Sequence, residues 1–291
     1  MSLGGIRNID YQEIWNRLNS GDIVPFFGAG ASACYGLPTG ATLAASLVEA
    51  GQFPDIRGRD DLALVASYVV QMKDSIVIRR TVRQAINSAH EPGRLHELLA
   101  SCEAIKLYVT TNYDDLLELA LAPRRPWWVI YRGLPGTVSC RTPEGDWKTA
   151  KSEELRALIL ASPNPIILKL HGSLAEQPAD DSFLITEEQY IDFLGRPQES
   201  QIPSMLVSYM QVRSFLFLGY ALRDWNVRVL LRKLQWATSD NPIMSWGIVR
   251  DAGEAEMVLW KKRNVELHEI DLRQFVTELE QSRNTIKGAM G

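Results

Sequence analysis

The sharpest feature in the hydropathy pattern is an apolar run, Ile23–Phe27, that stops at Gly28-Ala29-Gly30-Ala31-Ser32. A short apolar run bounded by glycine reads as a strand buried on both faces. Three similar runs follow at 105–110, 165–170 and 214–218, and residues 243–249 and 265–270 read as two last strands. Residues 127–131 are also apolar and read as a buried or partner-facing strand, and 183–186 as a short extended piece.

Between these runs the apolar residues recur at helical spacing. Asp10 is placed to cap a first helix carrying Tyr11, Ile14, Trp15 and Leu18, which Gly21 closes. Helices are predicted over 39–49, 115–121, 152–161, 187–194, 204–210, 225–236, 254–263 and 273–282. Tyr190 and Phe193 face inward in the fourth of these. Residues 60–102 are helical throughout, broken at Asp74 and at Glu91-Pro92-Gly93. That is more helix than one crossover needs. It reads as an insertion, about 51–103, covering one side of a sheet. Residues 123–150 hold Pro-Arg-Arg-Pro, Trp127-Trp128 and several glycines, and read as an irregular region of short strands and loops, or a lid.

The alternation of strand and helix predicts an α/β protein with a Rossmann-like, doubly wound, mainly parallel sheet. One domain over 10–283 accommodates the pattern, and a length of 291 residues permits it.

Composition narrows the class. Hydrophobic residues make up 46% of the chain and charged residues 23%, as in ordinary globular proteins. A net charge of −4 argues against a nucleic-acid binder driven by gross charge. Cys34, Cys102 and Cys140 lie far apart without a C-x-x-C, so neither a disulfide framework nor a four-cysteine zinc site is expected. They read as small core residues in a cytoplasmic protein. No apolar run approaches the ~18 residues of a membrane span.

The chemistry gathers at four strand ends: G-A-G-A-S, T-T-N-Y-D, K-L-H-G-S and G-Y-A-L-R-D. Open α/β sheets bind ligands at the carboxyl ends of their strands. Gly28 and Gly30 let the backbone approach a pyrophosphate. The turn lacks both the third glycine, which is Ala33 here, and the acid roughly 20 residues on that a Rossmann dehydrogenase uses. Asn112 offers a donor and an acceptor on one rigid group. His171 follows a buried strand directly and can accept a proton near neutral pH. Asp114 can orient backbone or a ribose hydroxyl, and Gly219 allows close approach. Together these groups suit attack on a ribose C1′ that bears a good leaving group.

Plainer readings stand beside these. His171 can be a satisfied structural histidine, Asn112 and Asp114 can cap the next helix, and Gly219 can mark a tight turn. Arg223 and Asp224 can form a surface pair or a cap. His96 reads as a packing residue on an amphipathic helix, and His268 as structural.

The ordered set resembles the sirtuin superfamily, and most closely the sirtuin-like NADase domains of bacterial anti-phage systems. G-A-G-A-S matches the nucleotide turn, T-T-N-Y-D is similar to T-Q-N-x-D, K-L-H-G-S carries the family histidine as His171, and F-L-I-T-E-E-Q-Y and G-Y-x-L-x-D follow in order. The resemblance implies NAD+ as substrate, cleaved at the nicotinamide–ribose bond to give nicotinamide and ADP-ribose or a cyclic form. It implies catalytic roles for Asn112 and His171, and nucleotide contacts from Gly28, Ala29, Gly30, Ser32, Thr111, Asp114, Gly219 and Asp224.

Three departures separate the chain from deacylating sirtuins: there are no four zinc cysteines, Leu37-Pro38-Thr39-Gly40 follows the turn, and Thr111 stands where glutamine is usual. They imply no zinc and no zinc subdomain. A deacylase or ADP-ribosyltransferase, and a non-catalytic NAD- or ADP-ribose-sensing module, are the alternative readings. The resemblance further implies a homo-oligomer, and control by a partner such as a HerA-type translocase or an Argonaute. Trp127-Trp128 and Arg124-Arg125 are candidate contact points for such a partner.

Overall fold

Every residue of β1 (Ile23–Phe27) is buried, and its side chains alternate between two hydrophobic cores. Ile23 and Phe27 pack on one face of the sheet, Val24 and Phe26 on the other. This period of two is what a strand covered by helices on both faces requires. The computed structural model describes residues 8–53, 57–86, 90–125, 127–132, 137–172, 183–195, 202–220, 228, 231 and 243–290.

The strands after β1 are β2 (Leu107–Thr110), β3 (Trp128–Arg132), β4 (Val138–Arg141), β5 (Trp147–Ala150), β6 (Ile166–Lys169), β7 (Ser214–Leu218), β8 (Ser245–Val249) and β9 (Val265–Glu269). They form one sheet in the order β5-β4-β3-β6-β2-β1-β7-β8-β9. All neighbours from β3 to β9 run parallel. Only β4 and β5 are antiparallel additions at one edge. The winding reverses at β1, with β2 and β6 on one side and β7 to β9 on the other. That reversal opens a crevice beyond the carboxyl ends of the central strands. Pro25 has no N–H to give, and it precedes the β1–β2 ladder, which begins at Phe26↔Val109.

The first face is covered by α1 (Tyr11–Ser20), α6 (Arg94–Ala100), α7 (Leu116–Leu121) and α12 (Leu272–Met290). α1 starts as expected: the Asp10 carboxylate accepts from Glu13 N at 2.8 Å, and Gly21 closes the helix at φ 78°. The second face is covered by α8 (Ser152–Leu160), α10 (Ser204–Gln211) and α11 (Glu254–Lys261). A five-residue helix, α2 (Ala29–Ala33), follows β1 directly.

A separate cluster forms from α3 (Gly40–Gly51), α4 (Leu62–Met72) and α5 (Ser75–Ile86). Leu43, Leu47, Val65, Val69, Ile78 and Val82 make its core, with Tyr113, Phe183 and Ile185 packed in. α9 (Glu187–Gly195) lies against α4. The helical cover therefore begins at Gly40 and ends at Ile86. α6, which the continuous helical pattern had joined to it, buries Leu95, Leu98 and Leu99 in the main core.

The described part of residues 123–150 forms short strands that join the sheet. Trp128–Arg132 pairs in parallel with β6, and β4 and β5 extend the sheet from it. Trp128 is buried. Arg125 donates to the carbonyls of Glu103, Cys102 and Ile105 and to the Tyr108 hydroxyl. Both residues are engaged within the fold, while Arg124 is exposed. Of the helix expected over 225–236 only positions 228 and 231 are described, and Asp224 lies outside the described residues. Among the described residues no helix is long and apolar enough to cross a membrane.

The loops that follow β1 and β7 meet backbone to backbone. Gly28 N–H donates to Leu218 O at 3.0 Å, and Gly30 N–H to Gly219 O at 2.8 Å. A Cβ on Gly219, which sits at φ +63°, would lie 2.1 Å from Ala31 N. Gly219→Ala should cost more than about 2 kcal/mol, combining left-handed strain with the clash. Gly195→Ala, whose Cβ meets nothing within 4 Å, should cost nothing. Urea midpoints of the two variants check this; equal midpoints would contradict the close packing.

Candidate active site

Beyond the ends of β1, β2, β6 and β7 lies a cavity of about 1090 Å³. Ala29, Gly30, Ser32, Thr111, Asn112, Asp114, His171 and Gly219 all line it. Gly28 sits behind them as the N-cap of α2. The structure thus gathers these strand-end residues around one crevice, because their four strands are consecutive in the sheet. The opposite wall was not expected from the sequence. It comes from Leu37–Ala41, from Asp60–Leu64 at the start of α4, and from Glu187, Glu188 and Tyr190 on α9.

The loop after β2 is tied to the end of β1. Thr111 N–H donates to Phe27 O at 3.2 Å, the hydroxyls of Thr110 and Thr111 reach the same carbonyl, and Asn112 N–H donates to Thr110 Oγ1 at 2.9 Å. The Asn112 side-chain nitrogen then lies 3.0 Å from Gly28 O and 2.9 Å from Ser32 Oγ. A backbone carbonyl only accepts, so the group facing Gly28 must be the NH2. Ser32 Oγ–H donates to Asp114 Oδ2 at 2.8 Å. The order of donation is therefore fixed: Asn112 to Ser32, Ser32 to Asp114. Both amide hydrogens are used, and the carboxamide oxygen is the group Asn112 can offer a ligand.

The capping reading holds as well. Asp114 Oδ1 accepts from Leu116 N at 3.2 Å at the start of α7. One carboxylate serves the helix with one oxygen and the relay with the other.

The turn after β1 has a different local chemistry from that expected. The Gly28 and Gly30 N–H groups are taken up by Leu218 and Gly219, and the Ser32 hydroxyl by Asn112 and Asp114. These glycines allow two loops to touch, so those donors do not face a pyrophosphate.

His171 is buried at the end of β6, and its main chain accepts from Leu184 N at 2.8 Å. Its Nδ1 lies 3.2 Å from the Tyr190 hydroxyl, with the rings edge to face at 5.1 Å. With hydrogen on Nδ1, that hydroxyl accepts and Nε2 is the basic nitrogen.

Under the site lie buried polar groups that the hydropathy pattern had absorbed into the core. Lys169 Nζ is 2.7 Å from Glu118 Oε1 and also donates to the Asp114 carbonyl. Burial pushes the Glu118 carboxyl up, opposed by Lys169, and Glu118 Oε2 has no hydrogen-bond partner. The one signal in the sequence was a lysine inside an otherwise apolar strand.

His96 stacks on Phe27 at 5.5 Å and meets the Tyr35 ring edge to face, in keeping with a packing residue. Among the described residues no group of three or more His, Cys, Asp or Glu could hold a metal ion.

The sheet order and the crevice at its winding reversal define a Rossmann-like α/β protein with its site at the switch point. A family model, the SIR2-like domain, matches residues 106–268, and the chain belongs to that family. An Acinetobacter baumannii protein, "NAD(+) hydrolase ThsA", is 27% identical over 86% of this chain and 47% of its own length. A Bacillus subtilis protein, "Defense-associated sirtuin 2", is 20% identical over 77% of this chain and 20% of its own length. The chain spans about half or less of the curated relatives it matches. A solved Sir2 enzyme structure aligns over 95% of this chain and 98% of its own, at TM-score 0.48 and 12% identity. The fold rests on the sheet order and not on that alignment.

Burial lowers the His96 pKa to about 4, partly offset by Asp114. The unfolded histidine, near 6.5, therefore binds a proton that the folded one refuses between those values. Stability should fall as pH drops through that window, by roughly 3 kcal/mol at its lower end. Denaturant titrations of wild type and His96→Leu at pH 7 and pH 4 check this: the variant should lose that much less between the two. Equal losses would contradict it.

Proposed function

We propose that the chain is an NAD+ glycohydrolase. The observation that carries this is the pairing of Asn112 and His171 at the ends of adjacent strands β2 and β6, on one cavity, in a chain of the SIR2-like family. In this reading the C1′–N bond breaks and its electron pair returns to the nicotinamide nitrogen, cancelling the positive charge there. A water oxygen bonds to C1′ and loses its proton to His171. The products are nicotinamide, ADP-ribose and a proton; an internal acceptor in place of water gives a cyclic form.

Asn112, held by its NH2, offers its carboxamide oxygen to the water or the ribose. Tyr190 accepts from Nδ1 of the imidazolium that forms, which steadies the base in its charged state. Asp114 acts through Ser32 on Asn112. Thr111, Ala29 and Gly219 shape the nucleotide's bed. The start of α3 lines the same cavity at Gly40 and Ala41, and the N–H groups of a helix's first turn suit a pyrophosphate. That takes over the role first given to Gly28 and Gly30.

The reading extends to biology as part of the same proposal. The enzyme depletes NAD+ in the cytoplasm during anti-phage defence; one relative is named for NAD+ hydrolysis and another for defence. Unchecked loss of NAD+ would harm the host, so activity is gated by self-assembly or by a protein partner such as a HerA-type ATPase or an Argonaute.

Purified protein, alone and with neighbouring gene products, should release nicotinamide from NAD+, read by mass spectrometry. Asn112→Ala and His171→Ala should each lower the rate by about 100-fold or more. Tyr190→Phe should cost about 10-fold with KM little changed. Full activity in both alanine variants would overturn the assigned roles, and turnover of an acyl-lysine peptide instead of hydrolysis would overturn the reaction.

A further inference from the structure

Lys169 is 1% exposed and Glu118 8%. Removing two charges from water costs several kcal/mol each, and a buried ion pair seldom returns more than a well-packed apolar pair would. Stability alone therefore gives little reason for it here. Its position gives another. Lys169 stands two residues before His171 on β6, and its ammonium donates to the main-chain carbonyl of Asp114 in the loop that carries Asn112. Glu118, one helical turn beyond Asp114 in α7, fixes the ammonium from the other side at 2.7 Å. Asp114, once its main chain is held, directs the Ser32 hydroxyl, and Ser32 directs the Asn112 amide.

We propose that Lys169 and Glu118 are a positioning pair that locks the Asn112 loop to the strand bearing His171. The proposal rests on the NAD+ glycohydrolase reading for its catalytic consequence. Its structural half, the tethering of one loop to one strand, is independent of that reading. A single ammonium spans the gap between β6 and the loop after β2, so the distance between the two proposed catalytic groups is set beneath the cavity floor, out of reach of water and substrate. Neither residue touches the reacting atoms.

The test replaces the pair by apolar residues of similar size, Lys169→Met/Glu118→Leu, so that neither charge is left buried alone. Three quantities are read on wild type and variant: the melting temperature, amide hydrogen exchange across residues 111–116, and NAD+ hydrolysis resolved into kcat and KM. The variant should melt as high as the wild type. Exchange across 111–116 should quicken by about 10-fold or more while that of β1 and β7 stays as in wild type. The kcat should fall by about 10-fold or more, with KM within about threefold.

Unchanged exchange across 111–116 would overturn the proposal, whatever the activity. Loosened exchange with undiminished kcat would overturn the positioning role. If the wild type itself leaves NAD+ intact, the functional reading fails, and the exchange measurement alone decides whether the pair tethers the loop. Should the apolar pair not fold, Lys169→Gln/Glu118→Gln replaces it in the same three measurements. Glutamine's side chain is one bond shorter than lysine's, so it withdraws the donor from Asp114, and the same outcomes are expected.

Discussion

Gly219 O accepts the Gly30 N–H at 2.8 Å, and much of the site's geometry depends on that contact. It joins the loop after β1 to the loop after β7 at backbone distance, which only glycine allows. α2 then starts immediately after β1, which brings Ser32 within reach of both Asn112 and Asp114. Moving these loops apart by one methyl group would shift the wall that Asn112 leans on. The glycines thus serve the ligand indirectly, by letting two strand ends share one floor.

Above that floor the site is built from polar groups set into an apolar sheet. Such groups are costly unless satisfied. The Asn112–Ser32–Asp114 relay gives each member a defined direction of donation, and Lys169 and Glu118 secure its far end. The cavity's outer wall is supplied by different elements, the starts of α3 and α4 and the helix α9. These belong to the helical cluster and its neighbour, packed on a core of their own. An inner wall fixed by the sheet and an outer wall of helices is a sound arrangement for a substrate as large as a dinucleotide.

Much of this was legible in the chain. β1, β2, β6 and β7 appeared as apolar runs ending in glycine or polar motifs, because strands buried on both faces leave that trace. Their order in the sheet became visible only in the structure. Three things did not appear. Short strands were expected in 123–150, but the pairing of β4 with β5 as an edge hairpin was not, because both are short and half-polar. α6 looked continuous with the helical cluster because helical periodicity does not say which core a helix joins. The hydrogen-bond assignments of Gly30 and Ser32 were hidden because a glycine that meets a ligand and one that meets another loop look alike in sequence. Lys169 was absorbed into an apolar strand, and its partner Glu118, 51 positions earlier, became visible only in three dimensions.

The central claim is that the four strand ends form one NAD+ site with the scissile bond between Asn112 and His171. A crystal structure of Asn112→Ala soaked with NAD+, whose turnover that substitution slows, tests it most directly. The account predicts the nicotinamide ribose beside position 112, with C1′ facing His171 and the pyrophosphate near the start of α3. NAD+ bound elsewhere, or with its ribose turned away from both residues, would contradict it.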